Sequence, residues 1–399
     1  LELKAVRATL AQDPDLLKLA RIPLMLSLMT MAYQGLTSEQ LHPLADKPAR
    51  RQHLFEHYVA KMFTRRPLST DCPFSQSQAT TWLSNIAEGV AKHQQSVFFI
   101  ERLQPTWLPS NRLCQLNRII FGLVGGLIIG ALFGLLGSLF GSLIDHLLFG
   151  EVYNLPARMI DGLLIGMLAG LVIGLPVSLL TELGSGTIKL VEEIKWHPPT
   201  LHQLRKLLQV GLVGALNGGL LSALLGALMG WLFGSLLTGL RIGLVVGVIA
   251  GLVAGLFSEL GQFFSTSEFT RHKHPNQGIR NSAFNAMRMG LLYTLLFGSL
   301  AGLLVGISSG LWTGLLGGLI AGLTSGVLAG LFLYGGDSVV KHYSLRLLLA
   351  LTGILPHPFS DRRLVAFLDA MHDRILLRRV GGGWTFIHRY LLDYFAGKQ

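Results

Sequence analysis

Few residues in this 399-residue chain are of a type and spacing that could do chemistry. Cys72 and Cys114 are isolated thiols without ligand spacing, and a disulfide between them is not expected in a reducing compartment. His272 and His274 in "RHKH" could ligate a metal, but nothing in sequence completes a site, so no metal residue is assigned. No Ser-His-Asp or paired-carboxylate arrangement can be argued, and no G-x-x-x-x-G-K-[ST] occurs anywhere, so the chain lacks the phosphate cradle and magnesium hydroxyl of a P-loop. No catalytic residue is therefore expected. Two residues stand at expected element junctions. Pro23 in "ARIPLML" interrupts a leucine pattern, so one helix should end before it and another begin at it. His388 in "FIHRYLLDYFA" ends a strand-like run, where a histidine can be satisfied locally.

The elements that would position these residues are dominated by apolar sequence. Half of the chain is hydrophobic, 14% is charged and 48 residues are glycine, whereas a soluble domain has about 25% charged residues. The apolar part runs from about residue 119 to 334 and contains uncharged windows long enough to cross a bilayer. Candidate spans are 119–141, 159–181, 210–236, 240–258, 288–307 and 312–334. From Gly298 to Gly330 every fourth residue is glycine. The period excludes collagen, which needs three. In lipid, small residues let helix backbones approach closely. A helix of that length would overrun one bilayer, so two crossing helices with a break near Ser308–Trp312 are expected, each with its own glycine row.

The block is internally repeated. "TELGSG" at Thr181 recurs as "SELGQF" at Ser258, and "KWHPP" with His197 recurs as "HKHPN" with His274, both offset by 77 residues. A weaker copy begins near "WLPSNRLCQLNRIIFGLVGG". Three units of two spans each are expected, which argues against an inverted-repeat transporter. The long connections carry the basic residues, Lys189, Lys195, Arg205 and Lys206 in one and Arg271, Lys273, Arg280 and Arg288 in the other. The positive-inside rule then puts them, and both chain ends, on the cytoplasmic side. The net charge of +11 suits anionic lipid headgroups, and no nucleic acid is expected as partner. Acids at mid-depth are nearly absent, which argues against a pump. Asn217 reads as interhelical hydrogen-bonding glue and Arg241 as a residue snorkelling at a turn.

Residues 1–108 read as a cytosolic helical domain, 109–336 as the transmembrane region of about six helices, and 337–399 as a small C-terminal module. In the first, "RRQHLFEHYVAKMFTRR" places Leu54, Tyr58, Met62 and Phe63 on one side of a helix, and Ser75 or Ser77 can cap the next. In the last, two helices precede "ILLRRV" and "WTFIH", joined by three glycines as a β-hairpin, and "RYLLDYFAG" closes as a helix, the order of a winged-helix module. Neither end can easily bury its apolar faces alone, so the two are expected to pack on each other. The fold class is mainly α, a glycine-rich multi-pass bundle inserted between a helical domain and a winged-helix-like module.

"LARIPLMLSLMTMAY", "LFEHYVAKMFTRR" and "FLDAMHDRILLRRVGGGWTFIHRYLLDYFA" resemble bacterial NACHT proteins, signalling NTPases of the STAND class of AAA+-like ATPases, and the glycine-rich block resembles a multi-pass membrane subset of them. The resemblance implies that Pro23 packs on an adenine and that His388 contacts the β-phosphate of ADP. It also implies ATP or ADP with magnesium in a full-length protein whose P-loop core lies upstream, this chain being its C-terminal part in a bacterial inner membrane. A homo-oligomer through the glycine-rich helices is a further expectation, and a glycine-zipper channel gated by the soluble ends is the alternative.

Overall fold

The computed structural model describes residues 7, 14–33, 47–66, 74–149, 155–180, 187–232, 235–267, 273–356 and 361–397. "TELGSG", Cys72 and His272 lie outside them. The chain is mainly helical with two small antiparallel sheets. It divides into two compact units. The first comprises Leu1–Arg102, Arg271–Asn276 and Arg346–Gln399, and the second Leu103–Thr270 and Gln277–Leu345.

The first unit joins the two ends of the chain. Its N-terminal helices are α1 (Pro14–Ala20), α2 (Pro23–Ala32), α3 (Lys47–Arg65) and α4 (Gln76–Lys92). Pro23 starts α2, where its missing N–H removes no hydrogen bond. Leu54, Tyr58, Met62 and Phe63 form the buried face of α3. Ser75 caps α4 in a capping box, its side chain accepting from Gln78 N while Gln78 accepts from Ser75 N.

Toward the other end lie α11 (Gly336–Leu351), α12 (Asp361–Asp373), β3 (Leu377–Val380), β4 (Gly383–Phe386) and α13 (Arg389–Phe395). A helix leaves its last carbonyls without intrahelical partners, and here side chains from the N-terminal segment meet those just past α11 and α12. Trp82 Nε1 donates to Gly353 O at 3.2 Å and Asn85 Nδ2 to Ile354 O at 3.0 Å. Tyr58 Oη donates to Ile375 O at 2.7 Å and Arg66 to Asp373 O at 2.8 Å. Ile375 has φ +57°, a left-handed conformation that a β-branched residue rarely adopts. The rings of Phe74, Trp82 and Phe367 meet edge-on at 5.2–5.8 Å. The docking of the two ends is thus observed directly.

The β3–β4 hairpin turns on two glycines, not three. Gly381 supplies φ +58°, while Gly383 belongs to β4, where a Cβ would lie 2.7 Å from Phe98 O. That closeness lets Phe98 exchange both backbone hydrogen bonds with Trp384, at 2.7 and 3.0 Å, so "SVFF" adds a bridge to the hairpin. Trp384 is fully buried and donates to Asp369 at 3.1 Å.

The second unit contains three helical hairpins: α5 (Asn111–Phe149) with α6 (Leu155–Leu180), α7 (Leu201–Leu232) with α8 (Leu236–Leu260), and α9 (Gln277–Ser309) with α10 (Leu311–Leu328). Among the described residues five stretches are long and apolar enough to cross a membrane: Asn111–Leu139, Leu201–Leu228, Leu236–Phe263, Gln277–Ser309 and Leu311–Leu333. The helices outrun the expected spans at several ends. The basic lead-in Asn111–Arg118, for example, continues the α-helix into the apolar run. The break after Ser309 is made by Gly310 at φ +96°. The long connections are not simple loops: β1 (Glu193–Trp196) pairs antiparallel with β2 (Phe264–Ser267). Ahead of β1 the chain is held residue by residue. Gln104 brackets Ile188 N and O, Ser338 donates to Lys189 O, and Val191 is bonded by Ser282 and Asn285.

Each hairpin is closed by facing glycines. Gly130 and Gly134 meet Gly162, Gly166 and Gly170. Gly214, Gly218 and Gly226 meet Gly239, Gly243, Gly247, Gly251 and Gly255. Gly298, Gly302 and Gly306 meet Gly314, Gly318 and Gly322. At the facing glycines of the first two hairpins, and at Gly314, Gly318 and Gly322 of the third, an added Cβ would come within 3.0 Å of the opposite backbone, whereas at Gly298 and Gly302 it would stand at 3.0 and 3.1 Å. Gly125 and Gly137 face open space. Accordingly, Gly134→Ala or Gly166→Ala should destabilise the protein by about 1–3 kcal/mol through overpacking. Gly302→Ala should be nearly neutral, and Gly125→Ala should stabilise by up to about 1 kcal/mol through helix propensity. Thermal midpoints in detergent check the ranking, and equal losses at Gly134 and Gly125 would refute it.

Candidate functional site

His388 lies between β4 and α13 and is the N-cap of that last helix. Its backbone is extended, and Nδ1 accepts a hydrogen bond from Tyr390 N at 3.1 Å. A ring nitrogen that accepts carries no proton, so the neutral imidazole has its hydrogen on Nε2. That Nε2–H has no protein partner among the described residues. Both sequence readings of His388 are therefore accommodated, since one nitrogen is satisfied locally and the other is left as a donor.

Pro23 is exposed at the start of α2, and α2 packs on α1 and α3. His388 caps α13, which packs on α3, α4 and β4. The two belong to the same unit, but no contact or cavity among the described residues brings them together. A pocket of about 370 Å³ does lie between α3, α4 and α13, with Gln52, Glu56, Thr80, Ser84 and Tyr394 in its wall, and it includes neither Pro23 nor His388.

Sequence reading missed a ring cluster on α3. His53 and His57 stand one turn apart with ring centroids 4.0 Å from each other, and Tyr33 closes over them at 6.2 and 6.4 Å. The i, i+4 spacing in "HLFEH" is its only signal in sequence. His57 Nδ1 lies 2.9 Å from His53 O, so it carries the proton and donates. Burial pulls the His53 pKa below its ordinary value, the neighbouring His57 lowers it further, and Glu56 opposes both. Burial also pushes the phenols of Tyr33, Tyr58 and Tyr394 up. Among the described residues no group of three or more His, Cys, Asp or Glu is placed to hold a metal ion.

In the second unit His197 is satisfied within its connection, Nε2 standing 2.8 Å from Ser265 Oγ. Glu259 of "SELG" pairs with Lys206 at 3.0 Å and fastens the base of the α7–α8 hairpin. Asn217 does not act as glue between the helices of this chain. It is exposed on α7, because Gly214 and Gly218 take the positions that face α8. Arg241 lies within the second turn of α8, not in the turn before it, and lines a groove.

Among the described residues, five apolar helices of spanning length are compatible with an integral membrane protein. Comparison with family models, with curated proteins and with solved structures finds no match in any of the three.

Two outcomes follow from the described side chains. His388→Ala removes a cap and should lower stability by about 1 kcal/mol, whereas His388→Asn, which can cap, should restore most of it. Thermal midpoints of the two variants check this, and equal losses would refute the capping role. For His53, a lowered folded pKa means that the unfolded chain takes the proton more readily. The stabilisation is complete above the unfolded value of about 6.5 and is lost as pH falls below it toward the folded value. The thermal midpoint should therefore drop between pH 7 and pH 5, and His53→Gln should make that drop shallower. Parallel profiles would overturn the assignment.

Proposed function

We propose that this chain is the membrane-anchored C-terminal part of a NACHT-type signalling NTPase, supplying a helical lid, a winged-helix module and the anchor of a nucleotide-dependent switch. The observation that carries the reading is the first unit. Helices from one end of the chain and a helix–hairpin–helix module from the other share one core, although the membrane block separates them in sequence. A switch needs its lid and its sensor on one body, and a shared core provides that. The order α12, β3, β4, α13 supports the winged-helix reading.

In this reading the nucleotide brings the phosphoryl chemistry, and a P-loop outside these residues holds its phosphates. His388 turns Nε2–H toward the β-phosphate while Nδ1 stays fixed on Tyr390 N, and Pro23, exposed on α2, offers a flat apolar surface to the base. The basic connections lie on the cytoplasmic face of a bacterial inner membrane, together with both ends. The channel alternative has less behind it, because the glycine rows are spent against one another inside each hairpin. The same occupancy leaves little of those rows for a homo-oligomer.

The test separates the two duties of His388. In the full-length protein purified from membranes, His388→Asn keeps the helix cap but removes the Nε2–H donor. Retention of ADP should fall roughly tenfold, the effect of one hydrogen bond to a charged group. ADP retention equal to that of the parent protein would remove His388 from the site, and a full-length protein without any bound nucleotide would remove the NTPase reading.

A further inference from the structure

A groove of about 750 Å³ lies between α8, α9 and α10. Its volume falls within the range of small-molecule sites, about 300–1,000 Å³. Ile242, Val245, Ile249, Val253, Ile320 and Leu328 make most of its wall apolar. Along α8 it extends from Thr238 to Phe257, roughly 28 Å at the helical rise of about 1.5 Å per residue. That approaches the thickness of a bilayer's hydrocarbon core, about 30 Å.

The two ends of the groove differ. One is closed by aromatic packing, with Phe257 meeting Tyr293 and Phe297 at 5.2 and 6.0 Å. The other lies where α8 begins and α9 ends, and it gathers Thr238, Arg241, Ser308 and Ser309. Arg241 is the one charged residue in the groove's lining, is exposed, and has no acidic partner among the described residues. The hydroxyls of Ser308 and Ser309 stand beside each other at 3.3 Å. An arginine inside an apolar helix needs an anionic partner or water. A guanidinium offers a carboxylate or phosphate a planar fork of donors.

We propose that this groove holds an anionic phospholipid, its acyl chain lying along Val245, Ile249 and Val253 and its phosphate bound by Arg241 with the Ser308–Ser309 hydroxyls beside it. Charge complementarity selects the occupant. A zwitterionic lipid brings its own cation beside its phosphate to compete with the arginine, and a free phosphate would leave the apolar wall uncovered. Ala250 and Ala254 line the same wall with small side chains and leave room for the chain. The inference rests on the membrane assignment alone and is independent of the nucleotide reading.

The test uses the purified chain in mild detergent, delipidated and re-equilibrated with equal amounts of phosphatidylglycerol and phosphatidylcholine, with bound lipid counted by native mass spectrometry. The parent protein should retain phosphatidylglycerol in preference. Arg241→Gln should reduce that preference roughly tenfold, as expected when one charge-assisted hydrogen-bonded contact is lost, and Arg241→Lys should keep most of it. Ala250→Phe and Ala254→Phe, which fill the wall without touching the arginine, should each reduce retention of both lipids. Equal phosphatidylglycerol retention by the parent and Arg241→Gln would overturn the proposal. So would unchanged retention in both phenylalanine variants. Competition by inorganic phosphate as strong as by phosphatidylglycerol would assign the arginine to a free anion instead. A dimer in the parent spectrum that disappears in Ala250→Phe while lipid retention persists would assign the groove to a second copy.

Discussion

The second unit depends on how closely two helix backbones can approach. In water the inward faces of helices are joined by burying large side chains, but between lipid-solvated helices that drive is weak, and close dispersion contact takes its place. The chain removes the side chains from one row of each helix and sets the bare backbones together at Gly130–Gly166, Gly218–Gly247 and Gly302–Gly314. Many of the large apolar side chains left over point outward. Leu237 and Ile307 are about four-fifths exposed, at 80% and 78%. The helix penalty of glycine is thus offset by contacts that alanine would block.

The first unit is held by different means. Its helices end in carbonyls that no helix can satisfy from within, and a neighbouring segment supplies the donors. Four of its helices end in the same way, with a residue in the left-handed region after α4, α11, α12 and α13, namely Gln94, Gly353, Ile375 and Gly397. Glycine is the easy occupant of such a position. That Ile375 holds it, with Tyr58 fixed on its carbonyl, shows the surrounding contacts setting the backbone there.

Much of this was legible in sequence, and the reasons are specific. Pro23, the Ser75 capping box and the buried stripe of α3 are local signals, since a cap or a face depends on residues within one or two turns. The glycine period announced close helix packing, because a small residue every four positions lets backbones approach in lipid. The β1–β2 sheet was not legible: its strands are four residues each, 71 positions apart between Glu193 and Phe264, and their pairing is decided by the helices that bring them together. Asn217 was misjudged because a polar residue in an apolar run says nothing of which face it occupies, and the neighbouring glycines had already claimed the inward one. The His53–His57 ring pair was visible as spacing alone, while the Tyr33 ring that covers it comes from a different helix. His388 showed its position at a strand end, but the division of labour between its two nitrogens needs coordinates.

That one core draws on both ends of the chain has a consequence during synthesis. A ribosome adds roughly 5–20 residues per second, and about 300 residues separate α4 from α13. The apolar faces of α3 and α4 therefore wait on the order of 15–60 s before the segment that covers them emerges. Throughout that interval the membrane block is being threaded into the bilayer, and the nascent N-terminal helices must be shielded by something other than their eventual neighbours. A chain truncated anywhere in the glycine hairpins would leave those faces bare for good, which makes incomplete copies recognisable to proteases by surface alone.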